Sequence, residues 1–415
     1  MRIAAGRNKK AVLAILFFIM LMDVIGLSLF FPVTPFIVGR YSPEAIMVTL
    51  LSVIYSAAQF IAAPVLGKLS DRLGRRPVLL WSIAGSAVGY LVFGVAGSLW
   101  VLFASRLISG LAGGNMSTAS AGIADVSEPQ ERSKNFMLVG LAWGVGLVAG
   151  PVLGSALGQW NPNAPAFLAA ALMAICLISS FFLLPETLPD EHREAGRLTV
   201  SSLNPFTAIV AMLRKPATGW LLLVMCMFNL AVNGTNSVGS VYLIRRFAAQ
   251  PWQVGLLMVA VGVAVALVQT VLIPILMPRA GERKVAAMSF AGLALCGVAM
   301  FFNPLYVVFF ILYVLMSGIG GLVYPSMTTL ATGSVENREI GGLIGVMTAL
   351  GSLMNIAGPL WAGLAFDNLS PEAPFLIGGV LLVGAFAMFA LHRRNAPAGP
   401  ARGTQTAAAT GAEDG

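Results

Sequence analysis

Asp23 stands inside an unbroken apolar run, Ala11 to Phe31, and Arg106 stands inside another that starts near Leu99. An ionisable side chain in such surroundings is costly, and it marks a place where charge is carried, moved or neutralised. Counting 1.5 Å per residue, Asp23 lies about 18 Å along its run and Arg106 about 10 Å along one entering from the other face of a core about 30 Å thick. Their depths nearly match. The two can meet near the midplane, with the guanidinium balancing the carboxylate until a proton or a cationic substrate takes its place, or they can form a permanent structural ion pair. Asn229, Asn233 and Asn236 recur at i, i+4 and i+7, which puts three carboxamides on one helix face. Tyr55, Gln59, Asn115, Gln269 and Asn355 are further polar groups in apolar segments. Together they outline the wall of a polar central cavity for a small molecule. Each can instead be a helix-to-helix hydrogen bond worth about 1 kcal/mol.

The residue types needed for bond-making chemistry do not assemble. His192 and His392 fall in a linker and at a helix end, and Cys176, Cys226 and Cys296 lie inside apolar runs without Cys-X-X-Cys or Cys/His spacing. Gly110-Leu111-Ala112-Gly113 follows no strand and sits within a span, so it is no phosphate loop. The reading expects no enzyme, no cofactor and no metal site, and looks to a gradient for energy.

The elements that must position these residues follow from composition. Of 415 residues 58% are hydrophobic and 10% charged, with a mean hydropathy of +0.86, too little polar surface for a water-soluble globule. A spanning helix needs about 20 apolar residues. Runs that are apolar on every face, such as Leu376 to Leu391, exclude the period-2 pattern of a transmembrane barrel. Hydropathy predicts an all-α membrane protein with twelve transmembrane helices, at 11–38, 45–66, 78–97, 99–121, 135–158 and 165–184, then at 218–243, 252–277, 284–302, 305–330, 340–364 and 372–392. The domains are then a six-helix bundle at 1–184, a solvated linker at 185–217, a second bundle at 218–392, and a disordered tail at 393–415. The first run resembles a signal peptide in its basic flank, yet its length and Asp23 favour a retained helix.

The net charge of +8 would suggest nucleic acid in a soluble protein. Here 21 of the 25 Lys and Arg residues fall on one side of the spans, against Arg40, Arg245 and Arg246 on the other. That asymmetry predicts cytoplasmic termini and no nucleic-acid partner. The halves also repeat. Leu107-Ile108-Ser109-Gly110 matches Leu315-Met316-Ser317-Gly318, and Gly150-Pro151 matches Gly358-Pro359, both at an offset of 208 residues. Parallel repeats about an axis along the membrane normal characterise one class of transporter.

Between helices 2 and 3 stands Gly67-Lys68-Leu69-Ser70-Asp71-Arg72-Leu73-Gly74-Arg75-Arg76-Pro77, which resembles the signature loop of the major facilitator superfamily. The resemblance implies that Gly67, Asp71, Arg72, Gly74, Arg75 and Arg76 form a conformational latch, in which the aspartate pairs with basic groups and a neighbouring helix end. The second copy, Pro274 to Lys284, has Pro278 in the place of Asp71 and is expected to lack it. In helix 5, Gly146, Gly150, Pro151, Gly154 and Gly158 resemble the signature of the superfamily's drug:proton antiporter branch. Such a stripe lets another helix approach closely or bend about Pro151, or it is generic packing. Arg106 with Gly110, Gly113 and Gly114 resembles the antiporters' buried-arginine motif.

The similarity covers about 11–392, and Leu21 to Gly26 with Pro64 to Leu80 are most similar to the tetracycline and multidrug efflux group. It implies two six-helix bundles related by a pseudo-twofold axis, in a plasma membrane, with protons, a small-molecule substrate and the lipid bilayer as partners. The protein is expected to act as a monomer. Three titratable positions of the tetracycline pumps fall at Gly89, Val265 and Gly292, which weakens metal-tetracycline as substrate and leaves Asp23 as the plain intramembrane proton carrier. The reading is a bacterial inner-membrane exporter of hydrophobic or amphipathic molecules, working by proton exchange. The alternatives are a metabolite, lipid or nutrient porter by symport or uniport, and, more remotely, a non-transporting receptor or scaffold that retained the fold.

Overall fold

The computed structural model describes residues 7–128, 130–189, 191, 193, 206–303 and 305–395. His192, most of the linker between 194 and 205, and the tail from 396 onward, named above, lie outside the described residues. Among the described residues there is no strand, as the all-apolar runs require. Eleven helices are long and apolar enough to cross a membrane.

The first half consists of α1 (Arg7–Ser28), α2 (Thr34–Val38), α3 (Ala45–Leu73), α4 (Arg75–Gly94), α5 (Leu99–Leu111), α6 (Asn115–Val126), α7 (Arg132–Trp160) and α8 (Ala164–Leu183). The second consists of α9 (Phe206–Leu213), α10 (Pro216–Phe247), α11 (Pro251–Leu267), α12 (Ile273–Ala280), α13 (Glu282–Phe301), α14 (Tyr306–Thr332), α15 (Ile340–Asn368) and α16 (Ala373–Asn395). Helix α9 was read as part of a solvated linker. It packs against α10 and α15, and Ile209 on it is buried.

Three expected spans are interrupted, each at a residue that spoils the helical ladder. The first stops at Ser28 and restarts at Thr34, around Pro32, which has no N–H to donate. The fourth breaks at Ala112-Gly113-Gly114 into pieces of 13 and 12 residues, so this expected span is two half-helices and not one rod. The eighth passes through a π-helical turn at Val268–Leu272 just before Pro274, a known way to absorb a proline's missing donor.

Two ends of the bundle differ. At the end bearing the basic loop, Lys9 pairs with Glu131, Arg75 with Asp71 and Asp125, and Lys215 with Glu339, each within one half. The Glu131 and Glu339 carboxyls are held below the ordinary carboxylate range by hydrogen bonds from Lys9 and Lys215. At the opposite end the halves meet. Asp367 of α15 accepts from the Ala45 and Ile46 amides of α3 at 2.9 and 2.7 Å, and Arg245 lies 3.4 Å from the same carboxylate. Gly255 and Gly262 of α11 lie against Ser155 and Val148 of α7.

Candidate functional site: a carboxylate beside a broken helix

Asp23 sits on α1 five residues before its end, half-buried. Its Oδ1 accepts a hydrogen bond of 2.7 Å from Asn115 Nδ2, and the same amide donates to Ser86 Oγ of α4 at 3.3 Å. Asn115 is the first residue of α6, immediately after the break, and is 1% exposed. It is therefore a buried partner of Asp23 and not the cavity wall that the sequence suggested. On the far side of the break, Gln59 Nε2 of α3 donates to the Gly113 carbonyl at 3.3 Å and lies 3.5 Å from the Tyr55 hydroxyl. Asp23, Tyr55, Gln59 and Asn115 thus gather where helix 4 loses its ladder.

Arg106 is elsewhere. Its guanidinium lies 4.3 Å from the ring centroids of both Phe30 and Phe93, and 6.0 Å from that of Tyr90. No ion pair joins it to Asp23 among the described residues, and its Nε and Nη2 are buried without a hydrogen-bond partner. The matching depths were misleading: Phe30, which receives Arg106, is seven residues after Asp23, in the turn beyond the end of α1. Cation–π attraction, about 2 kcal/mol when desolvated, takes the place of the ion pair.

The second half contributes less than its asparagines suggested. Asn229 donates to the Met225 carbonyl of its own helix at 2.9 Å. Asn236 accepts from the Tyr313 hydroxyl of α14 at 3.3 Å, and a side chain at Gly358 of α15 would press on Asn233. Gln269, in the π-helical turn, and Asn355 are exposed. No hydrogen bond between described residues links any of these five to Asp23.

The charged residues of the Gly67 to Pro77 loop pair in part with other partners than those expected. Asp71 pairs with Arg75 of its own loop at 2.5 Å, and Arg75 also reaches Asp125 at the end of α6 at 2.9 Å. The helix end is capped by Glu186, which accepts from the Arg75 and Arg76 amides at 2.7 and 3.2 Å. Gly74, at φ +100°, makes room for that carboxylate. Arg76 donates to the Phe181 carbonyl at 2.6 Å. Among the described residues no close contact reaches the Gly67 position, and none forms a hydrogen bond or ion pair with the Arg72 side chain. The helix 5 stripe faces α1: a Cβ at Gly146, Gly150, Gly154 or Gly158 would run into Val24, Ser28, Leu29 or Val33 respectively.

Ser86, Tyr90, Phe93, Asp125 and Glu186 were not singled out from the sequence. For three of them a signal existed, since Ser82, Ser86, Gly89, Tyr90 and Phe93 share one face of α4 at helical spacing.

The sequence model of the Major Facilitator Superfamily matches residues 16–280 and 240–412. The class D tetracycline resistance protein of Salmonella ordonez is 31% identical over 401 residues, covering 94% of this chain and 98% of its own. The structure of the human organic anion transporter MFSD10 superposes with a TM-score of 0.69 at 24% identity, covering 92% of this chain and all of that one. A bacterial homologue of the human lysosomal transporter Spinster, in an inward-facing unoccupied conformation, gives a TM-score of 0.77 at 16% identity, over 94% and 98% of the two chains. The chain belongs to the major facilitator superfamily and is a multi-pass membrane transporter.

Proposed function

We propose that this transporter exports hydrophobic or amphipathic small molecules in exchange for protons, with Asp23 as the group that takes up the proton. One observation carries the reading. Among the described residues Asp23 is the one carboxylate away from the ends of the spanning helices, and its partner is a neutral amide. A carboxylate without a counter-ion at that depth exchanges charge with a proton or a cationic substrate at low cost compared with one locked in an ion pair.

The arrangement of the ends fits exchange. With the basic end in the cytoplasm, as the charge asymmetry argues, the halves meet on the outer side and the structure is open inward. A bacterial inner membrane is the setting, and 1–184 and 218–392 are the two bodies that rock, without need of a second copy. The tetracycline resistance relative supports drug export as the class of activity. Metal-bound tetracycline fits less well, because a side chain at Gly89 would collide with Ser109 of α5, which leaves no space for an acid there. A single carboxylate favours a low proton stoichiometry.

A second reading has its own support. The two unpartnered nitrogens of Arg106 form a buried cation with no acid beside it, which favours an anionic metabolite as cargo. A structural neighbour is named an organic anion transporter.

Liposomes with an imposed pH gradient decide between them. A panel of lipophilic cations, tetracyclines and organic anions is added to the wild type and to Asp23→Asn. Collapse of the gradient by a cation or a tetracycline, with the wild type only, is the expected result. Collapse that survives Asp23→Asn removes Asp23 from the role, and collapse by organic anions alone transfers the reading to the second cargo.

A further inference from the structure

Helix α6 is a separate rod with a charged partner at each end. Asn115 at its start holds Asp23, and Asp125 near its finish holds Arg75, which holds Asp71 in the latch. The ten steps from Asn115 to Asp125 put these two residues about 15 Å apart. The neighbouring piece is fixed differently: a Cβ at Gly110 of α5 would lie 2.6 Å from the Tyr55 carbonyl of α3, so α5 is seated tightly on that helix. Between the two pieces the ladder is interrupted, with Gly113 donating to the Gly110 carbonyl and Gly114 to that of Ala112 in place of i→i−4 partners.

The Asn115 amide has two faces. Nδ2 is engaged with Asp23 and Ser86, whereas Oδ1 is buried and has no partner. An ionised carboxylate is acceptor-only and calls for the N–H face. A protonated carboxyl offers an O–H, and the acceptor it then needs is the idle Oδ1. The Ser86 hydroxyl, able to donate or accept, serves either orientation.

We propose that Asn115 reads the charge of Asp23 and that α6 carries it to the Asp125–Arg75–Asp71 latch, making the half-helix the link between the proton site and the basic end of the transporter. Asn115 is a positioning residue here, and the inference rests on Asp23 being the proton carrier. The titratable groups around Asp23 are Tyr55 on α3, Tyr90 on α4 and Cys176 on α8, and Arg106 on α5 faces the same two tyrosines. Helices α6 and α7 bring Asp125, Arg132 and Lys134 only near the basic end, so the amide of Asn115 is the contact through which α6 senses the carboxylate.

The test measures separation of the halves at the basic end by pulsed electron resonance. Spin labels go on Met137→Cys of α7 and Ile344→Cys of α15, both exposed, with Cys176, Cys226 and Cys296 replaced by Ala. In the reconstituted full chain, the ratio of open to closed populations should change about tenfold between pH 5 and pH 8.5, the worth of one charge-assisted hydrogen bond. Asn115→Leu, of similar shape with no amide, should cut that change to about twofold or less, and Asn115→Gln should restore most of it. Asp125→Ala, at the far end of α6, should uncouple the response equally and serves if Asn115→Leu fails to fold. A response in both Asn115→Leu and Asp125→Ala equal to the wild type overturns the link, as does a wild type that does not respond. Asp23→Asn separates the two ideas: a pH response that persists in it defeats the proton-carrier reading, whereas one lost in Asp23→Asn but kept in the α6 variants defeats the α6 link alone.

Discussion

A carboxylate and a guanidinium in apolar helices are conspicuous in a sequence because nothing else in their surroundings carries charge. Asp23 and Arg106 were legible for that reason, and their partners were not. Whether the two meet depends on where each helix ends, and α1 stops at Ser28, before Pro32, while α5 stops at Leu111. The structure gives Asp23 an amide and sets Arg106 against the edge-to-face pair Phe30 and Phe93. A guanidinium spreads a weakly hydrated charge over both rings, and a compact, strongly hydrated ammonium does not. Arg106→Lys should therefore lower substrate-driven proton flux about tenfold although the charge is retained. Flux equal to the wild type in the same liposomes would show that charge alone matters at this position.

At the scale of elements, the glycine stripe of α7 had two readings, and the packing selects close approach. A valine at Gly150 would meet Ser28 and the Leu29 backbone, while Gly144 on another face has no neighbour within 4 Å. Gly150→Val should destabilise the detergent-solubilised protein by about 1–3 kcal/mol, the usual cost of overpacking. Gly144→Val should leave thermal unfolding unchanged, and equal losses in both would refute a packing role particular to the stripe. Pro151 acts on the opposite side: it leaves the Leu147 carbonyl without its helical donor, and Leu147 faces Gly262 of α11, in the other half. One helix thus meets α1 with its glycines and the second half with its opposite face. The helix 4 break was not anticipated, although Gly113-Gly114 followed by Asn115 is a poor helix interior and a good helix start.

At the scale of the whole molecule, the contact that closes the end opposite the basic loop is a carboxylate on a helix terminus. Asp367 caps the first amides of α3 across the two halves, and Arg245 stands beside it. Asp367→Asn weakens both interactions and should shift the balance toward opening at this end by about tenfold. Alkylation of Ser42→Cys, which lines a cavity of about 410 Å³ next to Arg245, reports the shift as a faster rate. An unchanged rate would mean that glycine packing between α7 and α11 holds the end closed without help from Asp367.

Composition and the length of the apolar runs were enough to establish a helical membrane protein, its repeat and its basic side, because a bilayer leaves the backbone few other ways to satisfy its hydrogen bonds. The loop at Gly67 to Pro77 was enough to indicate the family, since its turn requires particular residues at particular steps. Partnership was decided by the tertiary structure. Side chains 92 residues apart, such as Asp23 and Asn115, or 322 apart, such as Ala45 and Asp367, meet only when helices are cut, tilted and seated on one another. No periodicity encodes that seating, because it is set by the sum of many close contacts and by the few places where proline or glycine interrupts the ladder.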